Sequence, residues 1–170
     1  EGVSAWLTKS LFPSAQVLLS DVDSAALSLA SENSQVHPVD GIVRGDLLSW
    51  CGSSCVDIII ANPPYVDRDD MRGLPAEYRH EPRLALAGGE DGLDLVRVLI
   101  RDAARILHPT GLLIVEVGNS FEALDDFSEQ LRPTWVELEQ GGHGVAIFMG
   151  QDLAQCATSE YTAKSVVSVK

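Results

Sequence analysis

Ten residues constrain this chain more than any others: Val56-Asp57-Ile58-Ile59-Ile60-Ala61-Asn62-Pro63-Pro64-Tyr65. An apolar run of strand length stops abruptly at two prolines. Ile58, Ile59 and Ile60 leave no polar alternation, which predicts a strand buried on both faces. The prolines forbid further ladder bonding and stiffen the backbone just past the strand's carboxyl end. In an open α/β sheet that edge is where ligands bind. The chain therefore places an Asn side chain, a Pro carbonyl and a Tyr ring on a rigid corner at the expected site. The plain alternative is a strand-to-loop turn, for which Asn-Pro and Pro-Pro are ordinary punctuation.

That corner suits one chemistry. A planar amide or aromatic amine can donate its NH2 hydrogens to the Asn62 side-chain oxygen and the Pro63 carbonyl. Its nitrogen is then fixed with the lone pair aimed at an electrophile, while Tyr65 packs on the planar group.

The rest of the chain reads as strand–helix alternation. Val3, Leu7 and Leu11 have helical spacing, and Phe12-Pro13 stops that helix. Val17–Ser20 is a short buried strand ending at Asp21-Val22-Asp23, and Ser24–Asn33 is a helix capped by Asp23 or Ser24. A second short strand follows His37 and closes at Gly45-Asp46-Leu47. After the proline corner comes a long polar segment, 67–91, of the length usually reserved for functional lids. Leu93–Leu107 is an amphipathic helix with Leu95, Val98, Leu99, Ile106 and Leu107 inward and Arg97, Arg101 and Arg105 outward. Leu112–Val117 is the next buried strand, ending at Gly118-Asn119-Ser120, and Phe121–Leu131 is a helix. Strands at Trp135–Glu139 and Val145–Met149 flank the glycine-rich turn 140–144. From Asp152 the residues are small and polar. The predicted organisation is one catalytic domain over residues 1–151 and a polar tail over 152–170. The predicted fold is α/β, a mostly parallel sheet with one antiparallel edge strand.

Composition excludes several functions. The 170 residues carry a formal charge of −13, which argues against a nucleic-acid binder and suits a basic partner. No apolar run reaches membrane-spanning length. Cys51, Cys55 and Cys156 form no pairing framework and no zinc set, so they read as thiols of a reducing compartment.

Asn62-Pro63-Pro64-Tyr65 directly after a buried strand resembles the motif of class I methyltransferases acting on planar NH2 nitrogens, and more narrowly the protein-glutamine N5-methyltransferases. The resemblance runs from about Ala15 to Phe148. It includes Glu77-Tyr78-Arg79-His80-Glu81-Pro82, Ala87–Leu93 and Glu116-Val117-Gly118-Asn119-Ser120, which look most like the branch that methylates large-subunit ribosomal protein three. It implies a Rossmann-like sheet closed by an antiparallel hairpin, S-adenosyl-L-methionine as cofactor, no metal, and a cytoplasmic enzyme. The implied partner is a protein carrying the target glutamine, a ribosomal protein ahead of a release factor, with no membrane and no direct nucleic-acid substrate.

Role by role, the resemblance makes Asn62, Pro63 and Tyr65 catalytic, with Pro64 completing the substrate-binding corner. Asp21, at the end of its strand, would take the cofactor's ribose hydroxyls, its alternative being a helix cap. Asp46 would lie near the adenine amino group, its alternative being a turn residue, and Leu47 would line the adenine pocket. Asn62 would also border the cofactor. His80 reads as an element of the lid rather than a general base, and His143 as a turn residue. The family's central first strand and glycine-rich loop have no counterpart, nor does its N-terminal helical domain. That implies a fragment or a misassigned start ahead of a natural shortened form, poor cofactor binding by the chain alone, and self-association through exposed strand edges. Two other functions share the corner or the fold: an adenine N6-methyltransferase, and a non-catalytic remnant of a methyltransferase.

Overall fold

A computed structural model describes residues 2–53, 56–65, 89–128, 130–131, 133–138 and 143–158. Residues 67–88 of the predicted lid segment, which include Glu77–Pro82 and Ala87–Gly88, lie outside the described residues, as does Cys55. The chain forms two compact units, residues 1–51 and 52–170.

The first unit holds helix α1 (Val3–Leu11), strand β1 (Leu18–Asp21), helix α2 (Ser24–Asn33) and strand β2 (Gly41–Arg44). β1 and β2 pair in parallel, with Asp21 opposite Arg44, so both strands end at the same sheet edge. α2 is capped by Asp23, whose side chain accepts the Ala25 amide at 2.9 Å. Lys9 ties α1 to the turn before β2 through a 2.8 Å ion pair with Asp40, which also accepts the Val17 amide at 2.7 Å. The Lys9 ammonium, then the Val17 amide, hold the Asp40 carboxyl below the usual range. Val3, Leu7 and Leu11 form their predicted stripe but remain exposed.

The second unit is a four-stranded sheet in the order β3-β4-β6-β5, built from β3 (Val56–Ala61), β4 (Leu107–Glu116), β5 (Thr134–Val136) and β6 (Val145–Met149). Helices α3 (Asp94–Ile106), α4 (Phe121–Phe127) and α5 (Gly150–Thr158) complete it, with a short 3-10 turn at Gly118–Ser120. β3 and β4 run parallel, and β6 runs antiparallel to both β4 and β5. Strand alternation sorts the side chains into two faces. Ile59, Leu113, Val115, Ala146 and Phe148 share the buried one, against which α3 and α5 pack.

The α/β class and the terminal hairpin agree with the sequence reading, and four details correct it. β3 is buried on one face only: Ile58 and Ile60 are 49% and 48% exposed, because β3 is an edge strand and both point away from the helix-covered face. The antiparallel strand is not at the edge. β6, with Ala146 and Phe148 fully buried, is interior, and the three-residue β5 takes the edge. The inward face of α3 is Val96, Leu99, Ile100, Ala103 and Ile106, rotated from the predicted stripe because Leu95 and Val98 are only half-buried. The polar tail expected from Asp152 begins instead as part of α5, where Leu153 is 1% exposed between α3 and β4.

Leu153→Ala is therefore expected to lower unfolding stability by about 2–5 kcal/mol, the scale of a buried large-to-small change. Chemical denaturation checks it; a loss under about 0.5 kcal/mol, the range for surface positions, would return this segment to a tail.

Candidate functional site

In the first unit the parallel register carries Asp21 and Gly45-Asp46-Leu47 to one sheet edge. Asp21 accepts the Asp23 amide at 2.8 Å through Oδ1, and its backbone carbonyl accepts the Gly45 amide at 3.0 Å. The helix cap is Asp23, so the capping alternative for Asp21 does not hold. Its second carboxylate oxygen has no partner among the described residues, and the side chain is half-buried. Asp46 is exposed, and its carbonyl accepts the Ser49 amide at 3.0 Å, so it is also a turn residue.

Leu47 has φ 45°, in the left-handed region that a branched side chain rarely occupies. The turn holds it there: the Trp50 indole lies against Gly45 and donates to the Leu47 carbonyl at 3.0 Å. A strained, locked residue thus stands at the position where the sequence resemblance implies the adenine pocket.

In the second unit the proline corner leaves β3 with Asn62 exposed, Pro63 buried, and Pro64 and Tyr65 half-buried. Its far end is pinned by Ser120, whose hydroxyl donates to the Tyr65 carbonyl at 3.0 Å. The Tyr65 ring rests on Gly118, where a Cβ would lie 2.5 Å from Tyr65 Cε2. Gly118 has φ 48° and Gly92 φ 79°; a Cβ on Gly92 would fall on the Ser120 hydroxyl and the Tyr65 carbonyl. Glycine is thus required twice around one tyrosine.

The next link is Asp91. Its carboxylate takes Arg97 in a two-point pair, Nη1 at 3.0 Å and Nη2 at 2.5 Å, and also accepts the Leu93 amide at 3.1 Å. Arg97 lies over the Phe127 ring at 4.9 Å. It does not simply face outward, as predicted, because a guanidinium can pair with a carboxylate and cover an aromatic face together. This clamp sets the backbone at Gly92 and, through it, the Tyr65–Ser120 contact. His143 also departs from expectation: its Nε2 lies 3.1 Å from Asn119 Oδ1, and its ring meets Phe121 edge-on at 5.8 Å.

Sequence reasoning located the corner and both acidic turns. It missed the Asp91–Arg97 clamp and the roles of Gly92 and Gly118. The available signal was glycine beside polar residues at three places, 89–92, 118–120 and 141–144, which is common in turns and points to no shared partner. Among the described residues no group of His, Cys, Asp and Glu could hold a metal ion, and no helix is long and apolar enough to cross a membrane.

The comparisons with known proteins agree with the motif. Residues 1–75 match the methyltransferase small domain family. The chain is related in sequence to enzymes named ribosomal protein uL3 glutamine methyltransferase. It is 38% identical over 148 residues to the one from Francisella tularensis, covering 85% of this chain and 47% of that protein. Identity is 41% over 155 residues to the one from Bradyrhizobium diazoefficiens, covering 89% and 49%. It is 37% over 166 residues to the one from Burkholderia pseudomallei, covering 92% and 54%. The chain thus spans about half the length of the curated relatives it matches. Among solved structures, the N-methyltransferase NodS from Bradyrhizobium japonicum aligns over 85% of the chain and 80% of its own, with 16% identity and a TM-score of 0.49.

The clamp carries a pH-dependent prediction. Arg97 beside Asp91 holds that carboxyl below its ordinary value, with burial opposing and the Leu93 amide assisting. A depressed folded value means the stabilisation is present above the unfolded carboxylate pKa, about 3.9, and is lost as pH falls through the lower folded value. Asp91→Asn should cost about 1 kcal/mol at pH 7, the scale of a partly exposed ion pair. The difference from the parent should shrink progressively in denaturation curves taken at falling pH below the ordinary carboxylate value.

Proposed function

We propose that this chain is the catalytic part of an S-adenosylmethionine-dependent methyltransferase that modifies the N5 nitrogen of a glutamine side chain in a protein. The proposed substrate is the large-subunit ribosomal protein uL3, by sequence kinship to relatives so named. The proposed compartment is the cytoplasm, where ribosomal proteins are made.

The carrying observation is the state of the corner: Asn62 is exposed, Pro63 is buried, and the Tyr65 carbonyl is pinned by Ser120. A reaction that depends on orientation needs a fixed acceptor facing solvent, and this is one. In the proposed mechanism the Asn62 side-chain oxygen and the Pro63 carbonyl accept the two hydrogens of the glutamine amide. That holds the nitrogen lone pair toward the incoming carbon. Tyr65, seated on Gly118, packs along the amide plane.

S-adenosylmethionine, when bound, supplies a methyl made electrophilic by sulfonium. The residues at the edge of the first unit fit its adenosine half. Asp21 has a carboxylate oxygen outside the local turn, suited to a ribose diol, and Asp46 and the locked Leu47 turn stand at the neighbouring strand end. As the N–C bond would form, the methyl–sulfur bond would break and its electron pair would go to sulfur, leaving a neutral thioether; the amide nitrogen becomes more acidic and its proton leaves to water, so no buried base is needed. The adenine N6 alternative would need a basic face, which a chain of net charge −13 does not favour.

Asn62→Ala should lower methyl transfer by about 10²–10³, the scale for losing one orienting hydrogen bond at a reacting group, with cofactor affinity nearly intact. Radiolabelled transfer to the substrate protein, in the chain extended upstream, reads it; near-parental turnover would remove the mechanism. Asp21→Ala should weaken S-adenosylmethionine by about 1.5–3 kcal/mol, as for a hydrogen bond to a charged group. Because Asp23 holds the cap, melting temperature should scarcely change. Calorimetry showing unchanged affinity would take Asp21 out of the site.

A further inference from the structure

The second unit carries an open groove of about 760 Å³ that the methyl-transfer reading does not use. Its apolar part is aromatic: Phe121, 38% exposed, meets the half-buried Trp135 edge-on at 6.3 Å. Its polar part is acidic, with Glu122, Asp125, Asp126 and Glu137 and no lysine or arginine among the described lining residues. The Trp135 indole donates to Asp125 Oδ1 at 3.0 Å, which fixes the ring against one carboxylate.

The groove also abuts the catalytic corner. His143 and Gly144 line it. His143 reaches Asn119 at 3.1 Å, the Gly144 carbonyl accepts the Val117 amide at 2.7 Å, and Gly118 between them carries the Tyr65 ring. One short stretch, residues 117–119, therefore separates the aromatic groove from the proline corner.

We propose that this groove holds a cationic, extended stretch of the protein substrate, its arginine or lysine side chains lying on the Phe121–Trp135 pair and facing the carboxylates. This rests on the reading of the corner as a protein-glutamine site. Aromatic faces attract guanidinium and ammonium groups, and carboxylates above a low-dielectric wall strengthen that attraction. The occupant is a basic polypeptide because the described lining brings four carboxylates and no lysine or arginine to the aromatic pair. A second copy of a chain with net charge −13 would meet like charge, as would a nucleic acid. A protein that sits on RNA phosphates carries lysine and arginine of necessity, so a ribosomal substrate brings the matching charge with it. The groove would then anchor the polypeptide beside the corner and leave Asn62 to orient the amide, with remote binding serving orientation at the reacting atom.

The probe is a short unstructured peptide of arginines spaced by glycine and serine around one glutamine, added to the full chain without cofactor. Binding is expected to change tryptophan emission, and the change should vanish in Trp135→Phe. Asp126→Asn with Glu137→Gln should weaken binding about tenfold, and Glu32→Gln with Asp57→Asn, exposed acids elsewhere, should leave it within about twofold. Equal weakening by both pairs, equal binding of a glutamate-for-arginine peptide, or no binding at all would overturn the proposal. Methyl transfer by the extended protein separates this inference from the reaction it rests on. Peptide bound in the groove with no transfer would refute the reaction and leave the groove. Transfer with KM unchanged in the Asp126/Glu137 variant would refute the groove and leave the reaction.

Discussion

The contact of the Tyr65 ring with the bare Cα of Gly118 organises the second unit's site. A tyrosine two residues past a buried proline has little freedom of its own, but its carbonyl and ring would still sample several positions. Ser120 fixes the carbonyl and Gly118 fixes the ring, and both belong to the 3-10 turn at the end of β4. Gly92 closes the same knot from the start of α3, where the Arg97–Asp91 pair sets its backbone. The corner's rigidity therefore has two sources. The prolines restrict it covalently, and two separate chain segments restrict it by close packing.

The first unit uses its acids differently. Asp23 and Asp21 are two residues apart at one strand end, yet only Asp23 serves the helix. Asp21 accepts a single amide within its turn. Two residues that look interchangeable in sequence thus take separate tasks, one holding an element and one facing outward. Leu47 shows the same separation: Trp50 supplies the hydrogen bond that stabilises an otherwise costly backbone conformation.

Much of this was legible in the chain because it depends on short-range rules. A hydrophobic run ended by Asn-Pro-Pro can hardly be anything but a strand stopped at a loop. The glycine-rich stretch before Val145 announced a hairpin. What failed depended on partners that only the tertiary fold brings into place. Nothing in Ile58-Ile59-Ile60 says that one face lacks a helix, since that is decided by where β3 falls in the sheet order. Arg97 has the spacing of a solvent-facing residue, and only Asp91 and Phe127 make it a clamp. Leu153 stands alone among small polar residues, too weak a period to predict a helix, yet α3 and β4 together give it a fully buried seat.

The order β3-β4-β6-β5 also bears on how the unit is made. A chain is synthesised from its amino end, and domains form as their parts emerge. β5 precedes β6 in sequence, yet β6 lies between β5 and β4, so the middle of the sheet is delivered after its margin. Until residues 145–149 have emerged, β4 has an unsatisfied row of backbone donors and acceptors on the side that β6 will fill. The nascent unit must keep that seam open until its own later residues arrive, which makes the interval before β6 appears the time of greatest exposure to proteases and neighbouring chains.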